Sequence, residues 1–223
     1  MALILSIETA TTNCSVSLSK NGETLLLKED YDSNYSHAER LHIFIEDILK
    51  EAKFERSQLD AIAVSKGPGS YMGLRIGVSA AKGLCFALNK PLISVSTLHA
   101  LAHQVKNPDG VIVSMLDARR MEVYSAIYDS NYNEIRAIEA QILDENAFAE
   151  YLNQGKVYFV GNGVEKTKAI INHPNAVFLD NTLPSANEMS ALAFNKYKIS
   201  DTEDVAYFEP YYLKDFVALK PKS

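Results

Sequence analysis

A glycine-rich block between Ser65 and Gly77 contains the residues best suited to chemistry. A loop of this kind, placed between a strand and a helix, can present backbone N–H groups to a phosphate or another anion. The block matches neither GxGxxG nor GxxxxGK[ST], and Ser70 stands where a serine caps the first turn of a helix. We therefore interpret the block as a tight strand-to-helix turn. No GxSxG elbow surrounds Ser70, so a capping role is favoured over a nucleophilic one.

A second candidate site is the HxxxH pair formed by His99 and His103. Two histidines four residues apart on a helix can face one metal ion. The sequence offers no third ligand, because the HExxH pattern is absent and no acidic residue lies nearby at helical spacing. Ordinary polar or capping roles are favoured for both histidines. We predict no catalytic residues, no metal and no other cofactor.

Composition narrows the class of protein. The chain has 223 residues, of which 47% are hydrophobic and 22% charged, as in an ordinary globular protein. The net charge is −6, and the one small basic cluster is Lys214, Lys220 and Lys222. Tight, direct binding of nucleic acid is therefore not expected, because it usually requires a basic stripe.

Compartment is indicated by the cysteines and the N-terminus. Cys14 and Cys85 both lie in apolar surroundings, which predicts two buried thiols in a reducing compartment. The N-terminal apolar run stops after six residues and has no basic region before it. This pattern is neither a signal peptide nor a membrane span, and we expect a cytoplasmic protein without membrane contact.

Hydrophobic periodicity predicts two copies of one arrangement, three strands followed by alternating helices and strands. The first copy has strands at 2–7, 14–18, 23–28, 59–65 and 92–95, with helices at about 36–53, at 71–88 and from 97. The second has strands at 111–116, 122–128, 134–142, 157–160 and 177–179, with helices at 144–152, 164–171 and 187–196. We predict an α/β protein of duplicated ribonuclease-H-like (actin-like, ASKHA) domains with mixed central sheets. The domains would span 1–106 and 107–223, with the boundary near Pro108.

The predicted helix 71–88 has too little polar surface for a helix on the outside of a lone domain. Arg75, Ser79 and Lys82 form its one polar line, and nearly every other residue is apolar or small. Such a helix is buried on more than one side, either within its own domain or at an interface, and the residues alone leave both open. Ile43 is an apolar residue on the polar side of the first helix. Together, the two helices indicate a partner-binding surface. Its predicted residues are Ile43, Gly73, Gly77, Ala80, Ala81 and Leu84.

Short motifs along nearly the whole chain carry a family resemblance. They lie at residues 4–11, 14–18, 67–77, 95–98, 117–124 and 210–214. Together they resemble the bacterial TsaB (YeaZ) family, and the glycine-proline-glycine-serine block is the most specific of them. The chain departs from the family pattern mildly, with Glu8 in place of Asp, Lys66 in place of Arg and Met72 in place of Thr.

The resemblance implies an actin-like, non-catalytic subunit needed for threonylcarbamoyladenosine formation next to the tRNA anticodon. Its implied partners are a TsaD-like catalytic subunit and a TsaE-like ATPase, with a homodimer possible when it is alone and tRNA reached only through the complex. Catalytic relatives carry two metal-binding histidines where this chain has Thr97 and Leu101. His99 and His103 are displaced from them by two positions, about 200° around a helix.

Two enzymatic alternatives stand beside this interpretation. An ASKHA-type ATPase or kinase would need phosphates to approach the backbone, yet the turn from Thr9 to Asn13 contains no glycine. A glycoprotease-like M22 metallopeptidase would need a metal site, and here the histidine pair is displaced by two positions and has no third ligand in the sequence. Both features favour the non-catalytic partner subunit.

Overall fold

The computed structural model describes residues 1–31 and 37–214. The strands of its first sheet are β1 (Leu3–Glu8), β2 (Cys14–Lys20), β3 (Glu23–Asp30), β4 (Ala61–Ser65) and β5 (Leu92–Val95). Their order across the sheet is β3-β2-β1-β4-β5. β2 runs antiparallel to both of its neighbours, whereas β4 runs parallel to β1 and to β5.

The second sheet repeats this arrangement. Its strands are β6 (Val111–Asp117), β7 (Glu122–Tyr128), β8 (Glu134–Ile142), β9 (Val157–Val160) and β10 (Ala176–Leu179). Their order is β10-β9-β6-β7-β8, so each strand occupies the same place as its counterpart in the first sheet. β7 runs antiparallel to both neighbours, and β9 runs parallel to β6 and to β10. The predicted duplicated ribonuclease-H-like fold is confirmed.

Local chemistry explains the hairpin that begins the first sheet. Asn21 and Gly22 both have positive φ, 54° and 88°, which is the conformation that a two-residue Asn-Gly turn requires. The apolar residues of β2 alternate with serines, and both sets are buried because helices cover each face of the sheet. Cys14 lies within this core, and Cys85 packs in the same cluster, so the two predicted buried thiols are confirmed.

The helices pack on the faces of the two sheets. They are α1 (His37–Ala52), α2 (Tyr71–Leu88), α3 (Thr97–Ala102), α4 (Ala149–Leu152), α5 (Val164–Lys168) and α6 (Ala186–Lys198). α1 and α2 cover one face of the first sheet, and α6 returns from the second half of the chain to pack on the other face. α3 packs against β6 and β7. The strands of the first sheet all precede residue 106 in the sequence, and those of the second sheet all follow it. However, α3 and α6 each pack against the sheet of the other half.

Two helices have a boundary more than two residues away from the sequence prediction. The N-terminal residues of the predicted helix 144–152 form a turn, in which the Asp144 carboxylate accepts the N–H of Asn146 at 2.9 Å. Phe148 then has a left-handed backbone, φ 63°, so a helix can begin only after it. α5 is three residues shorter than predicted. Ser36, the predicted start of the first helix, lies outside the described residues.

Three residues of the predicted partner surface lie on the inner face of α2, which packs inside its own domain. Gly73, Gly77 and Ala81 are buried inside their own domain. A Cβ on Gly73 would lie 2.1 Å from the carbonyl oxygen of Thr9, and a Cβ on Gly77 would lie 2.3 Å from the Thr9 hydroxyl. These small residues therefore allow α2 to approach the turn after β1, not a partner helix. A bulky residue at Gly77 is expected to disturb the fold, contrary to the interface interpretation.

The glycines of α2 give a matched pair of variants. Gly73→Ala should destabilise the chain by about 1–3 kcal/mol, because its methyl group would overlap the Thr9 carbonyl. Gly83→Ala should instead stabilise it by up to about 1 kcal/mol, since a Cβ there meets none of the described residues within 4 Å. Urea unfolding of the two variants and the wild type measures both changes. Equal effects of the two substitutions would contradict the packing described for α2.

Candidate functional site

Glu8 is the buried acid at the end of β1. Its side chain is fully buried, and its Oε1 accepts the N–H of Ala10 at 2.6 Å and the hydroxyl of Ser65 at 2.8 Å. Burial raises the pKa of this carboxyl from 4.5 to about 7, although both hydrogen bonds act in the opposite direction. The residue that replaces the family's usual Asp thus lies within the protein and does not line the neighbouring cleft.

The glycine-rich loop is held by hydrogen bonds within the chain. The N–H groups of Lys66, Gly67 and Ser70 donate to the Val95 carbonyl, the Thr97 hydroxyl and the Ala10 carbonyl at 2.8, 3.1 and 2.7 Å. The Ser70 hydroxyl accepts the Gly73 N–H at 3.3 Å, which confirms its predicted role as the cap of α2. Gly67 has φ +108°, so glycine is required there. Three N–H groups of the loop are therefore already used.

A cleft of about 800 Å³ lies between this loop and the second sheet. The loop and the turn after β1 form one wall, and the β6–β7 hairpin together with Asn162 forms the other. Side chains of the C-terminal segment 211–214 also line it. Sequence reasoning did not assign Arg119, Arg120 or Tyr124 to a site. The hairpin follows β6 and the opposite wall follows β1, and these two strands occupy matching places in their sheets.

Ion pairs fix the base of the hairpin. The Lys166 ammonium lies 2.9 Å from the Asp117 carboxylate and donates to the Arg120 carbonyl at 3.0 Å. Lys214 pairs with the Glu122 carboxylate. The two acidic side chains at the base are therefore each matched by a lysine. These pairs are partly exposed, so their role here is chiefly to position the hairpin.

The histidine pair packs against aromatic rings. The His99 ring stacks on Tyr128, with centroids 5.1 Å apart, and the His103 ring stacks on Tyr132 at 4.1 Å. Burial lowers the pKa of both histidines, that of His103 to about 4. Within residues 1–31 and 37–214, no group of three His, Cys, Asp or Glu side chains could hold a metal ion. The prediction that the chain binds no metal stays a prediction.

Thr97 and Leu101, the positions that the resemblance matches with metal-binding histidines, have structural roles here. Thr97 is fully buried, and its hydroxyl accepts the Gly67 N–H. Leu101 is also fully buried, in an apolar cluster with β6 and β7 residues. Neither position faces the cleft. Both side chains support the glycine-rich loop and the second sheet.

A groove between α1 and α2 is the other candidate site, with a volume of about 550 Å³. Its lining residues are Ala38, His42, Arg75, Ile76, Ser79, Ala80, Gly83 and Leu84. Of the predicted partner-binding residues, Ala80 and Leu84 lie here, half-buried. Ile43 is 54% exposed on α1 but does not line the groove. We refer to this feature as the α1–α2 groove.

Exposed apolar side chains continue the surface of α2. Phe86 is 87% exposed and Met72 is 62% exposed, although both are large apolar residues. Gly83 lies within the same helix, where glycine costs about 1 kcal/mol relative to alanine, and no neighbour in residues 1–31 and 37–214 requires a glycine there. Sequence reasoning missed all three residues. A sequence signal existed in Gly83, an isolated glycine inside a helical pattern.

The pH dependence of stability tests the burial of Glu8. Between pH 4.5 and about 7, the folded chain keeps the Glu8 proton that the unfolded chain has released, so stability falls as pH rises through this window. Glu8→Gln removes this loss. The difference in the free energy of unfolding between this variant and the wild type should therefore shift by about 3 kcal/mol in favour of the variant from pH 4.5 to pH 8. Urea unfolding across this range is the measurement, with the exposed Glu145→Gln as control; a difference independent of pH would contradict the burial.

Comparisons with known proteins identify the family. The model of the TsaD family, tRNA N6-adenosine threonylcarbamoyltransferase, matches residues 32–222. The tRNA threonylcarbamoyladenosine biosynthesis protein TsaB of Escherichia coli K12 is 32% identical, over 97% of this chain and 96% of its own. The Haemophilus influenzae TsaB is 30% identical over 97% of this chain and 95% of its own. The structure of YeaZ from Pseudomonas aeruginosa superimposes with a TM-score of 0.82 at 29% identity, covering 96% of this chain and all of that one. The chain belongs to the TsaB (YeaZ) family.

Proposed function

We propose that this chain is a non-catalytic subunit of the machinery that forms threonylcarbamoyladenosine next to the tRNA anticodon. It would bind a TsaD-like catalytic subunit through the outer face of α2 and the adjoining face of α1. The observation that carries the proposal is the exposed apolar surface around the α1–α2 groove. The chain is similar to TsaB proteins, whose name states a role in tRNA threonylcarbamoyladenosine biosynthesis. This similarity supports a role for the chain in the same pathway.

The composition of α2's outer face supports protein binding. A monomer gains nothing from exposing Phe86 and Met72 to water, whereas such side chains are the usual anchors of protein interfaces. Between them lie Ser79, Ala80 and Gly83, which are small enough for another backbone to approach closely. An apolar partner helix would fit this arrangement, with large side chains at its edges and a shallow groove at its centre.

The arrangement near the cleft supports a non-catalytic role. Thr97 and Leu101 occupy the histidine positions of the catalytic relatives and are used for packing. The N–H groups of Lys66, Gly67 and Ser70 are bonded within the chain, so they are not available to cradle a phosphate. The residues that would perform the transfer would then come from the catalytic partner.

Further partners complete the proposal. A TsaE-like ATPase would join the pair formed with the catalytic subunit, and tRNA would be bound by the assembled complex. Without its partner, the same apolar face of α2 could pair with a second copy of this chain. A cytoplasmic location fits the two buried thiols. Among the helices of residues 1–31 and 37–214, none has the length and hydropathy that a membrane crossing needs.

Two variants test the proposed surface. Phe86→Glu should weaken association with the TsaD-like subunit at least thirtyfold, because it replaces an exposed aromatic anchor with a charge that the interface would bury. Ala80→Glu should have a comparable effect from inside the groove. Ile43→Asp should add to the loss if both helices form one surface. Calorimetric titration and size-exclusion co-elution with the TsaD-like subunit are the measurements.

Ala191→Glu is the matched control. Ala191 is an exposed alanine on α6, which covers the opposite face of the first sheet from α1 and α2. This variant should bind like the wild type, and the melting temperature of Phe86→Glu should stay within a few degrees of it. Normal binding by Phe86→Glu and Ala80→Glu would refute the proposed surface. Equal loss in Ala191→Glu would show a general effect of charge and would refute it too.

A further inference from the structure

Two arginines in the cleft carry charge that no side chain of residues 1–31 and 37–214 balances. The acidic groups nearest to them in the hairpin are already paired, Asp117 with Lys166 and Glu122 with Lys214. Arg119 and Arg120 are exposed, line the cleft and form no ion pair with the described chain. This end of the cleft is therefore locally positive, although the whole chain has a net charge of −6.

The hairpin holds these arginines in a fixed position. Both have left-handed backbones, with φ 69° and 50°, a conformation that arginine rarely adopts. The Arg119 N–H donates to the Asp117 carboxylate at 2.6 Å, and the Arg120 carbonyl accepts from Lys166 at 3.0 Å. The backbone thus presents two adjacent guanidinium groups at the cleft from an anchored turn. Guanidinium groups in such a place suit phosphate oxygens.

Aromatic rings line the same cleft. Tyr71, Tyr124, Tyr211 and Tyr212 all contribute to its walls. The rings of Tyr71 and Tyr212 lie 5.0 Å apart, tilted by 35°. Thr11 also lines the cleft, but its hydroxyl is buried and has no hydrogen-bond partner in the described chain. Basic groups together with aromatic rings are the usual components of a site for unpaired nucleotides.

We propose that the cleft binds a short single-stranded segment of RNA, with phosphates at Arg119 and Arg120 and a base against the tyrosines. This inference rests on the proposed function, which places the chain in a complex that acts on tRNA. The cleft is far larger than one phosphate needs, and its four tyrosines would have no role with a simple anion. A duplex hides its base faces, whereas a single strand offers them for stacking. With only two unpaired arginines, the site contributes to the affinity of a complex and binds weakly alone.

The full-length chain tests this with a fluorescent 17-nucleotide RNA stem-loop bearing an unpaired loop. At 50 mM salt, fluorescence anisotropy should show micromolar binding, at least tenfold tighter than to a blunt RNA duplex of equal charge. Arg119→Gln with Arg120→Gln should weaken binding at least tenfold and reduce the slope of log K against log salt by about 1.4, the contribution of two phosphates. Tyr212→Leu should weaken binding about fivefold without changing that slope.

The matched control is Lys53→Gln with Arg56→Gln, which removes two other exposed cations that have no ion pair in the described chain. It should leave RNA binding unchanged. Equal losses in the two double variants, equal affinity for duplex, full competition by inorganic phosphate at matched phosphate concentration, or no binding by the wild type would each overturn the proposal. The assay contains no partner, so failure of the proposed subunit interaction does not alter its outcome. The arginine variant should still co-elute with the TsaD-like subunit.

Discussion

The contact between the turn after β1 and the glycine face of α2 determines the geometry of both candidate sites. The Thr9 hydroxyl donates to the Gly73 carbonyl at 2.8 Å, and the missing Cβ atoms of Gly73 and Gly77 leave room for Thr9. Gly69 makes a similar approach, since a Cβ there would lie 2.5 Å from the Ala10 carbonyl. Once α2 is held this closely on one side, its opposite side must face outward.

The same helix joins the cleft to the α1–α2 groove. Its first residues, from the Ser70 cap to Met72, line the cleft, and its outer face forms the groove. The C-terminal segment strengthens this link, because the Lys82 ammonium donates to the carbonyls of Ala206 and Phe208 and the Tyr211 N–H donates to the Lys66 carbonyl. A partner on the groove and a ligand in the cleft would therefore contact adjoining parts of one helix.

The strands were predictable because their patterns are local. Alternation, short apolar runs and the Asn21-Gly22 turn are all visible in the sequence, and they gave both copies of the sheet. The role of α2's small residues was not predictable in the same way. Periodicity shows that Gly73 and Gly77 share a face, but it cannot show whether a neighbouring turn or another protein fills the space. The arginine hairpin was missed because Arg119 and Ser70, far apart in sequence, meet only when the two sheets assemble.

We propose that the outer face of α2 binds a partner, whereas its inner face packs against Thr9 and holds the fold. Thiol labelling of Ser79→Cys tests it directly. Native Cys14 and Cys85 are buried and burial raises the pKa of each to about 12, so they should not react in the folded chain. Ser79 lines the groove and is exposed. We expect the TsaD-like subunit to slow maleimide labelling of Ser79→Cys at least tenfold and to leave an exposed Asn153→Cys control unaffected. If Ser79→Cys co-elutes with the TsaD-like subunit but is labelled at an unchanged rate, the outer face of α2 is not the partner-binding surface.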